Sequence, residues 1–486
     1  MVGWGLFTLP IVCEEYEPRR RKGREEKKTK KCFMMLSLLQ TLRLIVNPTR
    51  FLEGCAARYG DLFVLRVLGV NSPPVVFFSS AEAIAECFAI PAQELDFKKA
   101  THVFKPLFGE SSIVLQEGRA HNRQRQLLMP PFHGERLKVY GEVICAITND
   151  VTSSWRVGSS VSMQEVMPDI TLQIILQVVF GISPGSRYQK LRELLSSLLD
   201  DITKPWYSSL FFFPPLQQDL GAWSPWGNYK RRREEIDKLI YAEIYERRLS
   251  DDSRNDILSL LMSARDEDGQ QMTDEELRDQ LVSLLLLGYE TTAAVLAWVF
   301  YLIHFHPQVK ERLMQELDTV DTQNPEALSQ LPYLTAVCQE TLRIHPIALI
   351  CTPRMVKDTV EITGKKFTSG TVLVPCIHLA HRRAETYPQP EQFQPERFLN
   401  QKFSPYEYLP FGGGYRGCIG AAFSLYELKL IVATILSRFQ LALADPRPVH
   451  PVRRGITIIP SGGVQMIVTK QIEKISHKDA KTQIFS

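Results

Sequence analysis

One short stretch restricts this chain more than any other: Phe411-Gly412-Gly413-Gly414-Tyr415-Arg416-Gly417-Cys418-Ile419-Gly420. It sets a single cysteine behind a glycine-rich turn, with an arginine two residues before it and an apolar run, Ala421-Ala422-Phe423, after it. Glycines let such a turn fold so that backbone N–H groups point at the sulfur, which favours thiolate over thiol. One thiolate on a short turn does not make a zinc site, which takes about four ligands at close spacing. It does suit a heme iron, whose in-plane positions the porphyrin fills, with the cysteine as its lone protein ligand. An arbitrary cysteine is more often a small buried apolar residue. The pattern around Cys418 is what argues for a ligand.

The second constraint is a helix. Thr273-Asp274-Glu275-Glu276 is a capping box, and the apolar run after it continues through Gly288-Tyr289-Glu290-Thr291-Thr292 to about Phe305, where His306-Pro307 ends it. Roughly 32 residues at ~1.5 Å each make a rod of nearly 50 Å, long enough to cross a domain. A run this apolar also reads as a membrane span. Glu290 in its middle argues against that, since a charge there costs about 2.5–3.5 kcal/mol on insertion, so the spacing predicts a buried central helix. A shorter helix is expected from Pro332 to Arg343, stopped by Pro346, followed by strands over 360–362 and 371–374 around turns at Gly364 and Gly370. Residues 382–410 read as an irregular packed loop. The aromatics and prolines between Pro205 and Trp226 form either an apolar lid or part of the core.

Composition adds limits. The 486 residues, 44% hydrophobic and 23% charged, are those of an ordinary folded protein. Nine scattered cysteines, with no pairs at metal spacing, read as reduced thiols in a reducing compartment, here the cytoplasm. Between Arg19 and Lys31 nine Lys/Arg stand against two Glu, a local +7 that leaves −4 on the rest. That run is read as a solvated, disordered arm with at most a weak peripheral membrane contact. No aromatic interleaving accompanies it, so nucleic acid is not an expected partner.

The Cys turn resembles the cytochrome P-450 superfamily, whose pattern Phe-x-x-Gly-x-Arg-x-Cys-x-Gly is matched at every fixed position. Further motifs follow in family order. Glu340-Thr341-Leu342-Arg343 matches Glu-x-x-Arg, and Pro395-Glu396-Arg397-Phe398 matches Pro-Glu-Arg-Phe. Gly288, Glu290 and Thr291 match the oxygen-binding pattern, although Leu287 stands where a small residue is usual. His121-x-x-x-Arg125 sits where the family has Trp-x-x-x-Arg. The resemblance implies a mainly α fold with a small β-rich lobe, one large domain over residues 34–470 with a long central helix over the heme. Residues 1–33 are left as the basic arm and 471–486 as a tail.

By the same resemblance Cys418 is the metal ligand of heme b (iron protoporphyrin IX). His121, Arg125, Arg354, Phe411 and Arg416 are the expected heme contacts, the cations serving the propionates. Thr291 and Glu290 are the expected catalytic pair, steering protons to dioxygen where Gly288 opens the helix. Glu340, Arg343 and Arg397 form an expected structural triad. The implied activity is a monooxygenase that inserts one atom of O2 into an apolar substrate, with a fatty acid, alkane or terpenoid the guess. The chain has no flavin or iron–sulfur domain, so electrons are expected from a ferredoxin and its reductase, and the enzyme is expected to be a monomer. The strings at 129–137 and Arg454-Gly455-Ile456-Thr457 resemble cyanobacterial and related bacterial members. Two rival readings are a peroxygenase or isomerase of the same superfamily, which often lacks the equivalent of Thr291, and a non-catalytic heme sensor or a membrane or nucleic-acid binder using the arm.

Overall fold

In the computed structural model the capping box forms as the sequence predicts: the Thr273 hydroxyl accepts from the Glu276 N–H, and the Glu276 carboxylate accepts from the Thr273 N–H at 2.9 Å. The structure describes residues 39–67, 72–182, 185–204, 207, 209–212, 214–250 and 254–472. The basic arm of residues 1–33 and nearly all of the tail lie outside them.

Five helices surround the central one or lead toward it. In chain order the helices that position the site are α1 (Gly118–Leu128), α2 (Met163–Phe180), α3 (Ser186–Ile202), the central α4 (Asp274–Phe305), α5 (Pro332–Ile344) and α6 (Ala421–Leu436). Helix α4 is capped at its far end by His306 and is apolar on nearly every face, with Trp298, Val299 and Phe300 fully buried. It is the one helix among the described residues that is long and apolar enough to cross a membrane, and it is mostly enclosed by protein. A helix apolar all round needs neighbours all round. Helices α2, α5 and α6 and the hairpin of Pro451–Arg454 with Thr457–Pro460 supply them.

The β-rich lobe is a five-stranded mixed sheet. Its strands are β1 (Leu62–Leu65), β2 (Val75–Phe78), β3 (Leu95–Asp96), β4 (Arg354–Val356) and β5 (Val372–Pro375), in spatial order β1-β2-β5-β4-β3. Only the β2–β5 pair is parallel. Strand β5 falls where the Val-rich run at 371–374 predicts it, and the expected strand at 360–362 is one arm of a hairpin, Thr359–Ile362 with Lys365–Thr368. The aromatic stretch before Trp226 divides. Tyr207 and Phe211 are buried, and Phe211 meets Trp226 and Tyr229 edge-on, whereas Trp223 is 79% exposed.

Candidate active site around Cys418

The Cys turn owes its shape to two things. Gly412 and Gly414 adopt φ of +68° and +61°, which residues with a Cβ rarely adopt. Phe88 lies flat against the next stretch, so a Cβ on Gly413 would sit 2.5 Å from its ring. The Cys418 N–H donates to the Phe411 carbonyl at 2.9 Å, closing the loop, and the Gly420 N–H points at the sulfur. Cys418 is exposed, yet protein surrounds it deeply enough that burial pushes its thiol pKa up against the pull of Gly420 and Arg125. Its exposed face therefore opens toward the interior and not toward bulk water.

Helix α1 is clamped to this turn. The Arg125 guanidinium donates to the Gly417 carbonyl at 2.8 Å, the Tyr415 hydroxyl donates to the Gly118 carbonyl at 2.9 Å, and the rings of His121 and Tyr415 stand 4.2 Å apart. Arg416 lies over Phe97 and donates to the Ile113 and Gln116 carbonyls, while Arg354 lies over Phe88. Among the described residues no carboxylate forms an ion pair with Arg125, Arg354 or Arg416. The Nε atoms of Arg354 and Arg416 and Nδ1 of His121 are buried without partners. The electrostatic consequences agree. Burial pulls the Arg416 pKa down to about 10, with Arg354 and Arg125 adding to the fall, and burial pulls His121 to about 3, with Arg416 and Arg125 contributing. Uncompensated buried cations are costly unless an anion joins them. A group carrying two carboxylates beside a thiolate-ligated metal fits this donor set, as the propionates and iron of a heme do.

The sequence reading missed the segment that joins this turn to the central helix. Residues 111–116 form a strap. The Ser111 N–H donates to Asp279 at 2.8 Å, the Ile113 N–H to Gln280 at 3.1 Å, and the Ser112 and Ser283 hydroxyls meet at 2.7 Å. Arg416 then binds the other side of the strap. Gly109 makes it possible: its φ is +90°, and a Cβ there would overlap the Asp279 carboxylate. Asp279 and Gln280, wholly buried, are anchors for the strap, a role that no local pattern announces.

On α4 the expected catalytic residues are placed differently from one another. The Thr291 hydroxyl donates to the Leu287 carbonyl at 2.7 Å, and that of Thr292 to the Gly288 carbonyl at 3.0 Å. The expected opening of the helix at Gly288 is not present, for α4 is helical throughout. Gly288 instead makes room for α2, since a Cβ there would lie 2.6 Å from Ile175 Cδ1. Glu290 is buried and turns toward Arg454, 3.5 Å away. Burial raises its pKa, and Arg454 opposes the rise.

The structural triad assembles as expected. Arg343 binds Glu340 through two donors at 2.7 and 2.9 Å, and Arg397 approaches the same carboxylate at 3.4 Å.

A second acid escaped the sequence reading. Glu427, on α6 nine residues past Cys418, is buried, and burial pushes its pKa up to about 8 with only Thr292 opposing. Its folded pKa stands above the unfolded value, so its favourable contribution is complete below the unfolded pKa. That contribution shrinks as pH climbs through the interval up to about 8. Glu427→Gln, which mimics the neutral acid, is therefore expected to leave the melting temperature near pH 4 almost unchanged and to raise it by several degrees at pH 8. Thermal scans at the two pH values check this, and equal shifts at both would refute it.

Comparison with known proteins agrees with this geometry. The cytochrome P450 family model matches residues 28–467. Cytochrome P450 135B1 of Mycobacterium bovis is 33% identical over 447 residues, covering 91% of this chain and 92% of its own. Cytochrome P450 135A1 of Mycobacterium tuberculosis is 33% identical over 428 residues, 87% of this chain and 91% of its own. Among solved structures, retinoic acid bound cyanobacterial CYP120A1 superposes with a TM-score of 0.77 at 24% identity, covering 89% of this chain and 96% of that one. The cytochrome P450DA heme domain does so with 0.77 at 21% identity, covering 90% and 96%. With its family model spanning most of the sequence, the chain belongs to the cytochrome P450 family, heme-dependent monooxygenases that bring O2, a small-molecule substrate and electrons from redox partners together at one site.

Proposed function

We propose that the chain oxygenates an apolar substrate of the fatty-acid, alkane or terpenoid class, using electrons from a ferredoxin and its reductase in the cytoplasm. The carrying observation is the set of arginines, Arg354 buried and Arg125 and Arg416 half-buried, that converges on the Cys418 turn without a carboxylate ion pair among the described residues. It supports Cys418 as the iron ligand and His121, Arg125, Arg354 and Arg416 as partners of the propionates, with Phe411 fixing the loop. When bound, the heme supplies the redox chemistry by which one oxygen atom of O2 is inserted. The protein's own part is to hold the heme's carboxylates, admit an apolar molecule and meter protons. Half-buried Ile113 and Val114 on the strap and Leu284 and Leu287 on α4 are apolar surfaces close to the polar anchors, which favours a lipophilic substrate. The cyanobacterial structure of the same fold holds retinoic acid, a terpenoid acid, in keeping with that class. The free thiols of the described cysteines and the enclosed α4 support a cytoplasmic site of action.

The test is a spectral binding screen of fatty acids, alkanes and terpenes, reading displacement of the heme Soret band, followed by product analysis with a surrogate ferredoxin system. Absence of a shift with every apolar class, and a shift with polar ligands instead, would reject the substrate assignment.

Thr291 is assigned to proton handling. Its hydroxyl already bonds a helix carbonyl at 2.7 Å, so it has a lone pair free to accept and a proton it can redirect by rotation. Thr291→Ala is expected to keep heme and ligand affinity while diverting most electrons to peroxide, a loss of about 10²–10⁴-fold in the general-acid contribution being the range for such groups. Product formed per electron is the deciding quantity. The same yield in mutant and parent would remove Thr291 from the mechanism.

A further inference from the structure

The far end of the central helix borders a cavity that the heme site does not use. Its volume is about 440 Å³, and it is lined by Tyr301, Phe305, His306, His345, Arg382 and Phe393, with Glu391 and Val449 also on its border. Tyr301 lies ten residues past Thr291, about 15 Å along α4, so this is not the space over Cys418. Rings make the walls. Tyr301 and Phe305 stack with centroids 5.2 Å apart, Phe305 meets His306 edge-on at 5.4 Å, and His306 tilts against Phe393 at 5.3 Å. His345 lies flat on the fully buried Trp298 at 3.6 Å, and burial keeps its imidazole neutral. The polar groups are mostly donors. The Tyr301 hydroxyl accepts from the Val449 N–H at 3.3 Å, and its own proton meets no acceptor among the described residues. Arg382 is only 12% exposed. Its Nη1 donates to His378 Nδ1 at 3.1 Å, and His378 Nε2 donates to Glu53 at 2.7 Å, which fixes Glu53 in place. The fork of Nε and Nη2 is left over. Glu53 and Glu391 come within 3.4 and 3.3 Å of Nε without a bond of good geometry, and Nη2 bonds nothing among the described residues. On Arg343 the same fork grips Glu340 through two bonds, at 2.7 and 2.9 Å.

We propose that this cavity is a binding site for a small aromatic carboxylic acid, whose carboxylate enters the Arg382 fork in place of Glu391 and whose rings lie among Tyr301, Phe305, His306 and Phe393. A guanidinium fork and a carboxylate match in two parallel bonds. Flat walls favour a flat ligand, because ring pairs add to what buried area alone supplies. Mostly aromatic lining with a few convergent polar groups, in a space of several hundred Å³, is the usual form of a small-molecule site. Glu391 is the competitor. It is 74% exposed, and Arg382 is its one ion-pair partner among the described residues, so water receives it when a ligand carboxylate takes the fork. The occupant touches the ends of α4 and α5 and the loop that leads to the Cys turn, and binding to the folded state alone raises the melting temperature.

The experiment is a calorimetric titration of the heme-loaded protein with 2-naphthoate, with an azole held on the iron so that the space over the heme is closed, and with melting temperature read beside it. Naphthoate is expected to bind with a Kd of about 1 mM or tighter. 2-Naphthamide, which lacks the charge, and octanoate, which lacks the rings, are expected to bind at least about fivefold more weakly. Two variants on the cavity border, away from the triad and the heme cations, move the affinity in opposite directions. Glu391→Gln removes the competitor and should tighten naphthoate about two- to fivefold, the worth of an exposed ion pair. Val449→Trp fills the space and should abolish binding, and the carbon-monoxide spectrum should be that of the parent in both. Absence of naphthoate binding to the parent at millimolar concentration would overturn the proposal, as would binding that both variants leave unchanged, which would place naphthoate elsewhere. Octanoate binding as tightly as naphthoate would overturn the aromatic class.

Discussion

Cys418→Ser is expected to abolish the strongly red-shifted Soret band of the reduced, carbon-monoxide-bound protein, because that band reports a thiolate on the iron. Serine keeps the size of the side chain and the Gly420 N–H contact, but its hydroxyl is not ionised at neutral pH. The other described cysteines offer no substitute. Cys338, Cys351 and Cys376 are buried, with thiols pushed up to about 12 by burial, and they belong to the apolar packing elsewhere. The arginines and His121 around the turn are untouched by the change, so part of the heme should remain bound while the band is gone. Heme content measured beside the spectrum therefore separates ligand loss from misfolding. A surviving band in a heme-loaded Cys418→Ser protein would show that the iron is held by something else.

The features most legible in the sequence were those whose physics is local. The capping box at Thr273 and His306-Pro307 fix the ends of α4 within one residue, since both signals act through adjacent backbone groups. The Glu340–Arg343 contact is likewise implied by a spacing of three on a helix. Contacts made across long loops were not legible. Asp279 and Gln280 look like ordinary polar residues of the helix's second turn, and only the return of residues 111–116, some 170 positions earlier, shows that they bind a strap. The family pattern pairs Glu290 with Thr291, whereas the helix aims the acid at Arg454, 164 residues later. Gly288 illustrates the same limit. A glycine in a helix signals either a weak point or a close neighbour, and Ile175 decides for the neighbour. The strand at Lys365–Thr368 escaped for a different reason: its Lys-Lys-Phe-Thr has almost no apolar alternation, and its pairing with Thr359–Ile362 is what holds it extended.

Glu340→Ala is expected to yield little heme-loaded protein. Glu340 and Arg343 are both 0% exposed, so the carboxylate is the charge that makes the buried guanidinium tolerable. Removing one partner of such a pair costs about 3–5 kcal/mol, against a total stability of about 5–15 kcal/mol for a folded protein. The loss does not stop at the pair. Glu340 also accepts from the Gln394 N–H at 2.9 Å and faces Arg397, so alanine orphans a backbone donor and a second cation. Arg343 meanwhile donates to the His381 and Gln392 carbonyls, which ties α5 to the loop that leads into the Cys turn. A buried ion pair is often replaceable by apolar residues without loss, but here Glu340→Met with Arg343→Met would leave those carbonyls and the Gln394 N–H unpaired in the interior, at about 1–3 kcal/mol each. The double variant is therefore expected to be no better than Glu340→Ala, while Glu340→Gln, which keeps an acceptor for Gln394, should recover part of the yield. Holoprotein yield and urea midpoints across the three variants decide the matter. A double Met variant as stable as the parent would show that the triad holds charge and not the loop.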